Sequence, residues 1–177
     1  MTTNILKILL GLIFLISMTQ FSINLSLKEV DIPITGQSLA VLLVAGLFGA
    51  KIGSLTIALY LILGGFGLPV FANGGSGWET FGKGSGGFLY GFLIAGGLVG
   101  WLSNQWGIAK FGKNIGLMTI GTVLILTFGV GHLTGKYGLG KALEYGFYPF
   151  WPGAVIKIIL GGIMLSLWHK MFNKIKE

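Results

Sequence analysis

The sequence predicts an all-α integral membrane protein, built as a bundle of six transmembrane helices. Of its 177 residues, 53% are hydrophobic and only 10% are charged, so the chain lacks the polar surface that a soluble domain needs. Apolar runs recur from end to end, and the mean hydropathy is +0.84. Glycine is abundant, at 32 residues, and small residues let membrane helices pack closely. We expect a single transmembrane domain over residues 1–177.

Charges, prolines and glycine clusters divide the chain into six apolar segments. The first is too long for the core of a typical signal peptide, so we expect it to be a retained helix. The second is short for a bilayer that needs about 20 helical residues, so we expect it to be tilted, broken or partly re-entrant. The six segments cover residues 5–23, 38–50, 53–71, 86–104, 115–134 and 150–171.

The lysines predict the orientation of these segments. With both termini in the cytoplasm, the inner connections carry an excess of lysine over acid, whereas the outer connections are balanced, as the positive-inside rule expects. Anchoring in the cell membrane therefore explains the net charge of +7 better than nucleic-acid binding does. The inner set is Lys7, Lys51, Lys110, Lys113, Lys170, Lys174 and Lys176 with Glu177, and the outer set is Lys28, Lys83, Lys136 and Lys141 with Glu29, Asp31, Glu79 and Glu144.

The predicted outer connections hold the unusual residues of the chain. Segments 31–39, 67–87 and 144–157 contain all four prolines and two of the five tryptophans. Proline and glycine shape loops at such positions, and loops of this length usually carry function or fold over it. We therefore expect an aromatic-lined cavity that opens to the outside.

One lysine, Lys157, stands inside the apolar run 148–165. It follows Pro152 by five residues, which places it about 7–8 Å deeper along a helix and still near the outer end. Its stem could simply extend to the lipid headgroups. We favour a side chain that faces the bundle, because no acid in the predicted spans can neutralise it. A ligand carboxylate or phosphate would then be its counter-ion.

Little in the sequence suggests catalysis. The two histidines, His132 and His169, have no acid near them in metal-binding spacing, and cysteine is absent. Segment 128–138 fails as a phosphate loop, because Val130 and Tyr137 replace the required glycine and hydroxyl residue. We expect no metal, no cofactor and no enzymatic activity. A membrane enzyme or a structural bundle is the remote alternative.

Three motifs occur in order along the chain. Pro-Ile-Thr-Gly-Gln at 33–37 leads through Tyr60 to Gly-Leu-Pro-Val-Phe at 67–71, and "SGGFLYGF" at 85–92 and "PFWPGAVIK" at 149–157 follow. Together they resemble the BioY family, the biotin-binding S components of energy-coupling-factor (ECF) transporters. The region between the last two motifs matches that family only in hydropathy.

The resemblance implies a six-helix bundle that captures biotin from outside and works with a transmembrane T component and two cytoplasmic ATPases. By the same resemblance, Lys157 would anchor the ligand carboxylate and Asn73 would hydrogen-bond its head group. Weaker candidates are Phe71, Trp78 and Tyr90 for apolar walls and Gln37 for a polar lid contact.

The chain departs from the family at Ala154, where the family's Pro-Gly-Asp-x-x-Lys motif has an acid. One expected acceptor for the ureido N–H groups is therefore missing, and losing a charged acceptor in a buried site costs about 1.5–3 kcal/mol. Biotin could bind less tightly, water or Gln37 could substitute for the acid, or the ligand could be another small carboxylate or vitamin.

Overall fold

The computed structural model describes residues 2–23, 26–27, 30–31 and 34–174. Most of these residues are helical, and five described helices are long and apolar enough to cross a membrane. The long helices are α1 Thr2–Gln20, α2 Gln37–Gly65, α4 Gly86–Trp106, α5 Phe111–Tyr137 and α7 Trp151–Lys174; the short ones are α3 Glu79–Gly82, α6 Leu139–Gly146 and a 3₁₀ turn at Ala72–Gly74.

Two short antiparallel ladders connect α1 to α2. Strand β1 (Ser22–Ile23) pairs with β4 (Ile34–Thr35), and β2 (Ser26–Leu27) pairs with β3 (Val30–Asp31). Each ladder contains two residues per strand, so they shape the connection and form no larger sheet among the described residues. The chain therefore enters α2 from the β1–β4 ladder, with only Gly36 between Thr35 and the first residue of the helix.

Helix α2 reverses direction at Gly49. This residue has φ +75° and ψ −178°, a conformation that only glycine adopts readily. The side chains of Gln37 and Tyr60 are hydrogen-bonded to each other, although a straight helix would separate two such residues by about 34 Å. The two halves of α2 therefore run side by side in opposite directions.

These halves correspond to the second and third predicted segments, with one difference. The second half ends at Gly65, whereas the sequence prediction extends it to residue 71. The chain leaves the helix because Gly67 has φ +102° and a proline, Pro69, follows two residues later. Helix α6 lies in a stretch that the sequence prediction assigns to an outer connection.

Helices α2 and α4 form the centre of the bundle. They are the most buried of the long helices, whereas α1, α5 and α7 have few fully buried residues, as expected of helices that face lipid on one side. The contact between α2 and α4 is close at Gly100, where an added Cβ would lie 2.8 Å from backbone atoms of Ala50. There Ser103 donates a hydrogen bond of 2.6 Å to the carbonyl of Gly46.

Candidate functional site

A cavity opens between α2, α4, α5 and α7, at the end of the bundle away from Gly49. The cavity has about 660 Å³ of empty space, counted out to its open mouth. The size suits a small molecule and not a macromolecule. Its lining is mostly apolar, with a few polar groups: Thr35, Gln37, Ser38, Ala72, Ser85, Phe88, Leu89, Phe92, Thr122, Ile125, Leu126, Phe150, Ala154 and Lys157.

Lys157 points into this cavity from α7. Ala154, one helical turn away, lines the cavity as well, because residues three apart share a helix face. On the opposite face, Val155 and Ile156 are 47% and 59% exposed, which is typical of side chains that meet lipid. The lysine therefore belongs to the cavity face of α7, as the sequence analysis favours, and not to its lipid face.

The ammonium of Lys157 has a hydroxyl for its partner. Its Nζ donates a hydrogen bond of 3.1 Å to Oγ of Ser38, at the start of α2. Among the described residues that line the cavity, none is an aspartate or a glutamate. A hydroxyl oxygen carries only a partial charge, so the cavity as described keeps a half-buried cation without a neutralising anion.

Gln37 lines the cavity, and its side-chain amide is hydrogen-bonded to Tyr60. Its Nε2 donates to the Tyr60 hydroxyl at 2.5 Å, and this hydroxyl in turn donates to the carbonyl of Val70 at 3.0 Å. Oγ1 of Thr19, on α1, lies 3.3 Å from the same hydroxyl. All four residues are buried. This network fixes the start of α2 and the loop after α2 relative to each other.

The loop between α2 and α4 carries a cluster of aromatic rings. Phe71 packs edge-on against Tyr60 and Phe81, with ring centroids 5.5 and 5.8 Å apart. Phe81 also contacts Trp78 and Tyr90, at 5.4 and 5.6 Å. Phe71, Trp78 and Tyr90 are not among the cavity-lining residues. The three predicted wall residues thus pack in a cluster beside the cavity. Their contact with a ligand stays a prediction.

Asn73 lies near the cavity but not in its lining. It is exposed in the 3₁₀ turn, with φ +57°, and Asn is one of the few non-glycine residues that tolerate this conformation. Its neighbour Ala72 does line the cavity. The predicted head-group contact of Asn73 stays a prediction, whereas the structure brings Lys157 and Gln37 together around one space.

The residues that form the apolar walls are not among the predicted site residues. Phe88 and Phe92, four residues apart on α4, face the cavity, and the Phe88 ring lies 5.5 Å from that of Phe150. Phe88 can take this position because Gly129 of α5 leaves room for its ring. The four-residue spacing was visible in the sequence, but nothing there separated a wall from ordinary helix packing.

Comparison with known proteins gives the family. The sequence profile of the BioY family matches residues 1–174. The chain belongs to the BioY family. Similar BioY proteins include the "Biotin transporter BioY" of Rhizobium etli, 30% identical over 79% of each chain, and that of Thermotoga maritima, 32% identical over 79% of this chain and 82% of the relative. The "Biotin transporter BioY2" of Lactococcus lactis is 39% identical over 73% of this chain and 71% of its own.

A solved structure shares the BioY fold described above. It is the crystal structure of the S component for biotin from an ECF-type ABC transporter, with a TM-score of 0.85 at 23% identity, covering 96% of this chain and 92% of that chain. The family and the five apolar helices make this chain a multi-pass membrane protein.

Proposed function

We propose that this BioY-family chain is the substrate-binding S component of an ECF-type uptake transporter and that it binds biotin from the extracellular side. The observation that carries the proposal is Lys157, which lies in an aromatic-walled cavity with Ser38 as its hydrogen-bond partner and no acid among the described lining residues. A ligand carboxylate there would neutralise the ammonium and offset its desolvation. Biotin has such a carboxylate on a flexible chain, and its fused rings suit the phenylalanine walls.

The proposed topology is a single domain of six transmembrane helices with both termini in the cytoplasm. The reversal at Gly49 supports six spans over five, because each half of α2 then crosses or enters the bilayer separately. The distribution of lysines supports the orientation in the cell membrane. In this orientation the cavity faces outward and the Gly49 end faces the cytoplasm.

Delivery of the ligand would require partner proteins. The chain has no phosphate-loop motif, and the resemblance to ECF transporters supports a transmembrane T component and two cytoplasmic ATPases. ATP hydrolysis in those ATPases would reorient the bundle and release the ligand inward. The S component would contribute the ligand site and no catalytic residue.

A second candidate is an S component for another small carboxylate or vitamin. The observation that favours it is Ala154, which lines the cavity where the family motif has an acid. The anchor at Lys157 would bind any carboxylate of suitable size. The ligands of the two candidate functions would therefore both carry a carboxylate and would differ in the rest of the molecule.

Equilibrium binding of labelled biotin to the purified protein tests the proposal. We expect binding by the wild type, and a loss of affinity of at least about a hundredfold in Lys157→Ala, as for removal of one member of a buried charge pair. Lys110→Ala, at the exposed start of α5, is the matched control and keeps wild-type affinity. Thermal unfolding in detergent establishes that each variant is folded.

Competition by a panel of unlabelled small carboxylates and vitamins separates the two candidates. Biotin should compete best if the first is correct. A different compound that displaces the label at lower concentration would favour the second. Wild-type affinity in Lys157→Ala would overturn the anchor in both.

A further inference from the structure

Threonines in the interior of the long described helices follow one pattern, with a single departure. Inside a membrane a hydroxyl has no water to bond, so a helical threonine normally donates to the carbonyl four residues earlier. On α5, the hydroxyls of Thr119, Thr127 and Thr134 do this, at distances of 2.8, 2.8 and 2.9 Å. Thr19 on α1 and Thr56 on α2 do so as well.

Thr122 departs from this pattern. Within the described part of the chain its hydroxyl forms no hydrogen bond, although it lies on α5 between Thr119 and Thr127. It also differs from those two in position, because they are exposed on the outside of the bundle whereas Thr122 lines the cavity. The free hydroxyl thus belongs to the threonine that a ligand can reach.

Thr122 lies at the same depth as Lys157. Helices α5 and α7 run antiparallel, since a Cβ at Gly162 would lie 2.6 Å from Ile115 and one at Gly161 would also touch the side chain of Met118. Thr122 lies four residues after Met118 on α5, and Lys157 lies four residues before Gly161 on α7. The two residues are therefore at the same level of the antiparallel pair, to within about one helical turn. The hydroxyl and the ammonium therefore face the same level of the cavity.

We propose that the Thr122 hydroxyl is a second anchor for the ligand carboxylate, donating a hydrogen bond to it beside Lys157. A carboxylate accepts about four hydrogen bonds, and one ammonium does not fill them. Ser38, which accepts from Lys157, still has its own proton to donate. The three groups together would bind an anion, and no acid is among the described residues of the lining. This inference rests on the proposed function.

The test compares biotin with its methyl ester, which lacks the negative charge, on purified protein in detergent. In Thr122→Val, which removes the hydroxyl and keeps the shape, we expect biotin to bind about tenfold to a hundredfold more weakly, as for a lost hydrogen bond to a charged group. Affinity for the ester should change far less. Thr122→Ser should restore most of the biotin affinity, because it restores the hydroxyl.

The matched control is Thr127→Val, on the same helix. Its hydroxyl is already bonded to the carbonyl of Val123, so its removal should leave the affinity for both compounds unchanged. The proposal is supported if only Thr122→Val loses biotin selectively.

Three other results would overturn it. Unchanged biotin affinity in Thr122→Val would leave the hydroxyl without a role in binding. Equal losses for biotin and the ester would place it against another part of the ligand. A wild type that binds no biotin would remove the proposed function as well, and that failure is recognised before any variant is made.

Discussion

The two ends of the bundle differ in the side chains that lie between their helices. At the Gly49 end, helix backbones touch: Gly100 lies against Ala50, and Gly53 lies against Ala45, where an added Cβ would come within 2.8 Å of backbone atoms. At the cavity end, α4 also approaches α5 closely, at Gly87, but large side chains lie between α4 and the start of α7: the rings of Phe88 and Phe150 contact each other and line the cavity. Small residues thus bring α4 and the two halves of α2 together at one end, whereas aromatic residues line the open space at the other.

This difference explains how a bundle of apolar helices can hold an open pocket. Helices that meet at one end through glycine must diverge toward the other end if bulky residues lie between them there. Side-chain hydrogen bonds occur at both ends. At the Gly49 end they join helices directly, as from Asn114 to Ser166 at 2.9 Å, whereas at the cavity end one of them joins two groups of the lining, from Lys157 to Ser38.

Among the variants of the Gly49 end, Gly100→Ala should lower the stability most. The added methyl group would meet the backbone of Ala50, which cannot move as a side chain can, so we expect a loss of stability of about 1–3 kcal/mol. Gly97→Ala on the same helix is the control, because its Cβ would have only an ordinary contact of 3.6 Å with Ser54. Thermal unfolding in detergent measures both. Equal unfolding temperatures would contradict the close packing described for this end.

Tyr60→Phe should have a smaller effect, at the junction that supports the open end. It keeps the ring against Phe71 but leaves the amide of Gln37 and the carbonyl of Val70 without the hydroxyl. We expect a loss of about 1–2 kcal/mol in the free energy of unfolding, measured by denaturant titration. The exposed Tyr148 provides the control variant, Tyr148→Phe. If the two phenylalanine variants are equally stable, the network is not a structural support.

The smallest expected effect is that of Ser38→Ala on biotin affinity. Ser38 is the hydroxyl partner of Lys157, and the loss of one hydrogen bond of about 0.5–1.5 kcal/mol corresponds to roughly twofold to twelvefold weaker binding. Isothermal titration calorimetry can resolve this change. Ser54→Ala, on the half of α2 that does not line the cavity, should leave the affinity as it is, and a loss there of similar size would make the effect nonspecific.

The sequence predicted the framework of the bundle well, because that framework depends on hydropathy alone. The apolar segments correspond to the long helices, and Gly49 lies where the second and third segments meet. Lys157 was also predictable, since one cation in an apolar run is conspicuous in any sequence. The end of α2 was less predictable. It depends on the backbone conformation of Gly67 and on Pro69, and hydropathy does not report either.

The walls of the cavity could not be predicted, and the reason is geometric. Phe71, Trp78 and Tyr90 are aromatic residues near the cavity, yet their rings pack against Tyr60 or Phe81 instead of lining it. Which ring faces the space depends on where neighbouring helices carry glycine, as Gly129 does beneath Phe88. The role of Thr122 could not be predicted for the same reason. Only the packed helices show that Thr122 lines the cavity, whereas Thr127 is exposed on the outside of the bundle.

The central claim is that an ammonium at the open end recognises a ligand's negative charge, and one thermodynamic cycle tests it most directly. The affinities of biotin and biotin methyl ester are measured by calorimetry on the wild type and on Lys157→Ala. We predict that the wild type prefers biotin by more than about tenfold and that the variant loses this preference. A preference of the same size in both proteins would contradict the account.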